Sequence, residues 1–420
     1  MNLVNKIITL SHNNQSVIFS VFDQALVSGG NFLMIALGAN YLSMSEQGIF
    51  SYVYLFYVGI VVINLALIYQ WSSVKAPLVE SRENYKNFLL NTQIFFAFGT
   101  SFFLLFALKI LSLVSNWELP FGICGLIFIY FYFQQISDFA RRAAYVFQTP
   151  REAFINSLFI YPIRIALIFI LRPSTIEGFI LLIGLTSLLP AIYLILTHLK
   201  FIKYDKRFFS DFRNHFNEVK WLLIGTPFSF LWGNIPVFIS GIVLNLDSVG
   251  LFTSLNSITN VGNIGMELLD TEFSSRLGKT AAEDKKKSRK VYQNIFILGI
   301  AFWFIALGIF LVFGKYIIEI IDGPAYVRGQ QLLIYQWVTV LFMFIFRVDA
   351  VWIRTLGDTK TLLRSSIIGT AVAIIVSWPM IHFFGEIGIA LAVTLAAVAI
   401  GLYQRVILWK NKEMESSIKI

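Results

Sequence analysis

The side chains best placed to do chemistry in this chain lie in rows at helical spacing inside apolar stretches. Asn256, Asn260, Asn263, Glu267 and Asp270 follow at i, i+4, i+7, i+11 and i+14, which puts all five on one stripe of a helix. Gln24, Ser28 and Asn31 form a second row, with Gly38 further along it. Thr226, Ser229, Gly233 and Ser240 form a third, on a segment that Pro227 and Pro236 would bend, and Asn64 sits in another apolar run. Amide and hydroxyl rows suit a ligand rich in hydroxyls, such as a sugar chain, and serve equally to join helices by hydrogen bonds. Asp23, Glu267 and Asp270 are carboxylates in the same rows or close to them. Partly desolvated, a carboxyl group takes up and releases a proton near neutral pH, so these three are the candidates for ion coupling. Their plainer role would be to pair with basic loop residues such as Lys220 or Arg276. Two cations, Arg164 and Arg347, also fall inside apolar runs, where charge is costly and commonly functional.

The elements that carry these rows follow from composition. Of 420 residues, 57% are hydrophobic and only 14% charged, with a mean hydropathy of +0.72. A soluble domain has about a quarter of its residues charged. A chain this poor in charge needs lipid as its solvent, with about 20 apolar residues per span. Such runs recur at 17–42, 49–70, 88–114, 121–140, 153–171 and 176–199. They continue at 221–244, 250–272, 291–313, 331–354, 363–383 and 387–409. The reading is an all-α, polytopic membrane protein of about 12 transmembrane helices. The first run is too long for a signal-peptide core, so an uncleaved first helix is expected.

Lys and Arg set the orientation. About 27 fall at the termini and in alternate connections, against 4 (Lys109, Arg172, Lys315 and Arg328) in the opposite ones. The positive-inside rule then puts both termini in the cytoplasm. The net charge of +9 is accounted for by topology, with no nucleic-acid partner. The run Lys285-Lys286-Lys287-Ser288-Arg289-Lys290 reads as a loop meeting anionic membrane lipids. The single cysteine, Cys124, cannot build a disulfide or a thiolate metal site, and His12, His198, His215 and His382 lack ligand spacing. With no Gly-rich phosphate loop and no outer connection long enough to fold, no enzyme, metal or cofactor is expected.

The chain also repeats. Leu42-Ser43-Met44-Ser45-Glu46-Gln47-Gly48-Ile49-Phe50-Ser51 aligns with Leu244-Asn245-Leu246-Asp247-Ser248-Val249-Gly250-Leu251-Phe252-Thr253, about half a chain away. Each joins the first two helices of a six-helix half, and an even span count makes the halves parallel repeats. The expected organisation is a six-helix lobe over 1–205, a cytoplasmic linker over 206–220 and a second six-helix lobe over 221–420.

The stretch Gly30-Asn31-Phe32 through Ala36-Leu37-Gly38-Ala39-Asn40-Tyr41-Leu42, followed by Ser45-Glu46-Gln47-Gly48-Ile49-Phe50, resembles the opening of the polysaccharide-export (Wzx-type) flippases. These belong to the multidrug/oligosaccharidyl-lipid/polysaccharide exporter superfamily. The resemblance implies a cavity lined chiefly by the first, second, seventh and eighth helices. It also implies transfer of an undecaprenyl-diphosphate-linked oligosaccharide across the cell inner membrane, for O-antigen or a related lipopolysaccharide or surface glycan. A monomer suffices for this, and a polysaccharide polymerase and a chain-length regulator are the implied partners. On that reading Arg164 and Arg347 are the diphosphate ligands, because a guanidinium donates two parallel hydrogen bonds to phosphate. Asn31, Asn64, Asn256, Asn260 and Asn263 would meet sugar, while Asp23, Glu267 and Asp270 would couple ion movement to alternating access. The sequence departs from the related lipid II flippases, whose cavity arginines cluster on the first, second and eighth helices. The alternatives are a drug or cation antiporter of the same superfamily, which acidic first and eighth helices would suit, and a membrane polysaccharide polymerase or glycosyltransferase.

Overall fold

The computed structural model describes residues 2–417 except 70–71, 73–75, 77–78, 80, 116, 120, 148, 199–207, 261, 263–284 and 356–357. The described residues are helical throughout, with no strand. Six helices come first: α1 (Asn2–Tyr41), α2 (Met44–Asn64), α3 (Arg82–Val114), α4 (Phe121–Val146), α5 (Pro150–Leu171) and α6 (Ile176–His198). Then follow α7 (Phe208–Val243), α8 (Leu246–Thr259), α9 (Lys285–Ile321), α10 (Gln330–Thr355), α11 (Thr359–Phe384) and α12 (Glu386–Ser417). Eleven helices among the described residues are long and apolar enough to cross a membrane, so the chain is a multi-pass membrane protein. The remaining expected span, 250–272, is described as far as 260 and at 262; its other residues, Asn263, Glu267 and Asp270 among them, lie outside the described residues.

Contacts divide the chain into two units, Met1–Thr226 and Pro227–Ile420. The division falls inside α7, at the first of its two internal prolines. The segment 208–218, within the stretch expected as a linker, forms the first three turns of α7.

In the first unit, α1 packs along α5 and α4 along α6. Close approach of α1 to α5 depends on Gly30, where a Cβ would stand 2.4 Å from Tyr161 Cδ1. Lipid is met by rings: Phe95, Phe98, Phe102, Phe103 and Phe106 are exposed at helical spacing along α3. At the end of α2 the helix loosens into a π-helical turn, Leu65–Tyr69. A ring nitrogen of His215, on α7, lies 2.7 Å from the Leu67 carbonyl oxygen in this turn. Such turns recur at functional sites. This one carries Tyr69, whose ring lies under the Arg142 guanidinium at 5.4 Å.

In the second unit, α10, α11 and α12 form the closest-packed group. Between α9 and α10 the core is aromatic: Trp303 of α9 meets Trp337 of α10 at 4.2 Å between ring centroids and Phe344 at 5.9 Å. Trp337 Nε1 donates to the Trp303 carbonyl at 3.1 Å, which satisfies the indole inside the core.

The internal repeat reappears in the helix starts. Ser43 caps α2 in a capping box with Glu46, and Glu46 Oε1 also accepts from the Ile176 amide at the first residue of α6 (3.3 Å). Asn245 caps α8, and Ser248 donates to Glu386 Oε1 at the first residue of α12 (3.0 Å). Each half thus locks its second helix to its sixth through a carboxylate at a helix N-terminus, where the helix dipole favours negative charge.

Candidate functional site

Four helices of the first unit enclose a polar cavity of about 100 Å³. Its lining comes from Val27 and Asn31 on α1, Tyr54, Tyr57, Val58 and Val61 on α2, Tyr130, Gln134, Asp138, Arg141 and Arg142 on α4, and Tyr161 and Arg164 on α5. Helix α4 supplies the largest share because Gln134, Asp138, Arg141 and Tyr145 fall at i, i+4, i+7 and i+11, one polar stripe on an apolar helix. The volume holds a few waters or one phosphate-sized group, not a glycan.

Asp23 lies at the edge of this site and is fully buried. Its Oδ2 accepts from Arg141 Nη1 at 2.8 Å and from the Tyr145 hydroxyl at 2.6 Å, while Ser157 donates to Oδ1. A buried carboxylate survives only when its lone pairs are filled in this way. Arg141 is less well satisfied, since its Nε has no hydrogen-bond partner among the described residues. The second carboxylate, Asp138, accepts from Tyr57 and, at 3.4 Å, from Gln134 Nε2.

Arg164 is 1% exposed and is held entirely by neutral groups. Its Nε donates to Thr186 at 2.9 Å, and Nη2 to Gln134 Oε1 at 2.6 Å and Ser187 Oγ at 2.7 Å. Nη1 points at the Met34 sulfur at 3.9 Å, and the group stacks on Tyr161 at 5.6 Å. Arg142 makes no hydrogen bond or ion pair with a described residue; its guanidinium lies over the Tyr69 ring, in the field of Asp138. The cluster therefore sets three guanidinium groups against two carboxylates, one positive charge in excess. An unpaired guanidinium, a spare Nε and a wall of tyrosine hydroxyls form an anion-accepting surface.

The other candidates lie elsewhere. Asn64 is buried behind the cavity, donating to Gln135 Oε1 at 3.4 Å within a network that includes Thr100, Ser101 and Gln93 of α3. In the second unit Asn256 is half-buried and Asn260 exposed at the end of α8. Arg347 is exposed, and Asp349 pairs with Arg405 at 3.0 Å. The sequence puts Arg141 and Arg142 at the inner end of the fourth span, as topological charges that could also meet diphosphate at the cytoplasmic mouth; both line the cavity, beside Asp138, Gln134 and four tyrosines that the sequence expectations did not include. An open cleft of about 600 Å³ lies between the start of α3 and α7. Its acidic rim, Asp211 and Glu218, suits no anion. Among the described residues no three His, Cys, Asp or Glu side chains converge to hold a metal ion.

Comparison with known proteins bears on the fold. The MatE family model matches residues 223–379, somewhat over a third of the chain. No curated protein matches in sequence. Among solved structures, an inward-facing multidrug resistance MATE family transporter of the MOP superfamily superposes with a TM-score of 0.65 at 16% identity, over 95% of this chain and 96% of that one. The lipid II flippase MurJ, in an inward closed conformation, gives 0.65 at 16% identity over 93% and 87%. A MOP superfamily transporter from Pyrococcus furiosus, described as having a binding pocket of reversed polarity that suggests a different function, gives 0.61 at 15% over 93% of each chain. At these identities the likeness is one of fold. This chain has the helical architecture shared by MATE transporters and MurJ, with a MatE match in its second half.

Proposed function

We propose that this chain is a flippase that carries an undecaprenyl-diphosphate-linked oligosaccharide across the cell inner membrane, with both termini cytoplasmic. The observation that carries the reading is the excess of arginine at the cavity of the first unit: buried Arg141 and Arg164 and half-buried Arg142 against Asp23 and Asp138. A membrane protein keeps such a cluster at considerable cost, and a diphosphate is a ligand that would offset it. Arg142, the least engaged of the three, is the direct phosphate ligand. Arg164 is locked in place and supplies field. Asn31 meets the ligand from α1; for Arg347 a phosphate contact, and for Asn256, Asn260 and Asn263 a sugar contact, is the role their sequence positions suggest. Asp23 couples the cycle, because protonating or displacing it releases Arg141; Glu267 and Asp270 are further acidic candidates. The fold likeness to MurJ supports a lipid-linked substrate.

The second reading is a drug or cation antiporter. It draws on the buried carboxylate Asp23, on half-buried Asp138 and on the equal likeness to a multidrug transporter. Proteoliposomes loaded with a fluorescent undecaprenyl-diphosphate oligosaccharide separate the two. On the flippase reading, label in the inner leaflet becomes quenchable from outside, Arg142→Ala abolishes this, and ethidium efflux is absent. Ethidium efflux driven by a proton gradient, with no movement of the lipid, would reverse the assignment.

A further inference from the structure

Beyond the arginine cluster, the second unit holds a group of buried polar atoms that no contact accounts for. Asp322 follows the last residue of α9 at 1% exposure, and neither carboxylate oxygen has a hydrogen-bond partner among the described residues. Gly323, at φ 93°, turns the chain into the short 3-10 helix Pro324–Gly329, which brings Tyr326 into the field of Asp322. The Tyr326 hydroxyl is likewise buried and has no hydrogen-bond partner among the described residues. It comes close to the Ser254 hydroxyl of α8, itself fully buried, without a well-formed bond between them.

A buried carboxylate with both oxygens bare is among the costliest arrangements a protein can hold. No described Lys, Arg or His lies within ion-pair distance of it. Arg328, the cation nearest in sequence, donates to Glu386 at 3.3 Å, and Glu386 also accepts from Ser248. Asp247 adds negative charge near Tyr326, while Lys315 and Glu319 are exposed on α9. Burial pushes the Asp322 carboxyl up to about 7. One carboxylate and two hydroxyls offer hard oxygen ligands and a single negative charge, which matches a hard monovalent cation.

We propose that Asp322, Tyr326 and Ser254 bind a sodium-class cation at the end of the second unit. The site stands independently of the flippase reading, since it lies apart from the arginine cluster and its test needs no transport.

The full chain in nanodiscs is melted at pH 8 in mixtures of sodium and choline chloride at constant ionic strength. Sodium raises Tm along a saturable curve. Asp322→Asn removes the sodium dependence and, freed of a bare buried charge, melts in choline no lower than the parent. Tyr326→Phe and Ser254→Ala each raise the half-saturating sodium concentration by about tenfold, as expected for loss of one ligand worth about 1.4 kcal/mol. These two variants decide the matter if Asp322→Asn does not fold. Equal melting in sodium and choline, with stabilisation only on lowering the pH to 6, would mean that a proton alone neutralises Asp322. An unchanged sodium effect in Asp322→Asn would place the ion elsewhere. Either result overturns the site.

Discussion

Replacing Asp23 by Ala should expose how far the arginine cluster depends on one carboxylate. Asp23 fills three donors: Arg141 Nη1 at 2.8 Å, the Tyr145 hydroxyl at 2.6 Å and Ser157. Its loss strands a guanidinium that is only 9% exposed and already has one bare nitrogen. Breaking one side of such a pair costs about 3–5 kcal/mol. Arg141→Met is milder, because Asp23 keeps two hydroxyl donors; the loss is that of a charged hydrogen bond, about 1.5–3 kcal/mol. The double variant strands no guanidinium, so it should cost less than the two single losses together, by about 2–3 kcal/mol. Reversible denaturant titration in mixed micelles, applied to all four proteins, reads these differences. Strictly additive losses would show that the two residues do not stabilise each other, and the description of the cluster as a coupled unit would be wrong.

Gly30→Ala forces a Cβ to 2.4 Å from Tyr161 Cδ1, so the same titration should show a loss of about 1–3 kcal/mol. Glu386→Gln weakens the tie between α8, α12 and Arg328, whose side chain is 53% exposed, and stability should fall by less than about 1 kcal/mol. Asp358 caps α11 by accepting from the Thr361 amide at 3.1 Å and its hydroxyl at 2.6 Å, bonds that hold its carboxyl below the usual range. Its contribution is therefore present above about pH 4 and lost as pH falls through the lower, folded value. Asp358→Ala should cost about 1 kcal/mol at pH 7, and that difference should shrink toward pH 3 in thermal melts.

The sequence made the spans legible because lipid demands long apolar runs whatever those runs touch. The half-chain repeat was legible through its turns, since Ser43 and Asn245 cap helices by local rules. The candidate site was legible only in part. Arg164 stands out as an intramembrane charge, but its partners Thr186 and Ser187 resemble any helix hydroxyls, and they meet it only through the packing of α5 on α6. Asp23 reaches Arg141 and Ser157 across more than a hundred residues, a pairing no local pattern encodes. Arg141 and Arg142 stand where topological charges belong, so their position hid their place in the cavity lining. The signal that was available is the α4 stripe of Gln134, Asp138, Arg141 and Tyr145, which obeys the same spacing as the row on the eighth span. Asn64 satisfies the criterion of a polar residue in an apolar run and yet serves an interhelical network, the alternative use of such residues.

The central claim, that a lipid-diphosphate glycan crosses the membrane through this chain by way of buried arginine, is tested most directly by leaflet accessibility in cells. Undecaprenyl-diphosphate oligosaccharide would be labelled from outside in cells that express the parent chain, Arg142→Ala or no copy, with protein amounts in the membrane matched. The account predicts external glycolipid with the parent chain alone, and glycolipid trapped on the cytoplasmic leaflet in both other strains. Glycolipid that reaches the outer leaflet in the strain without the chain would contradict it.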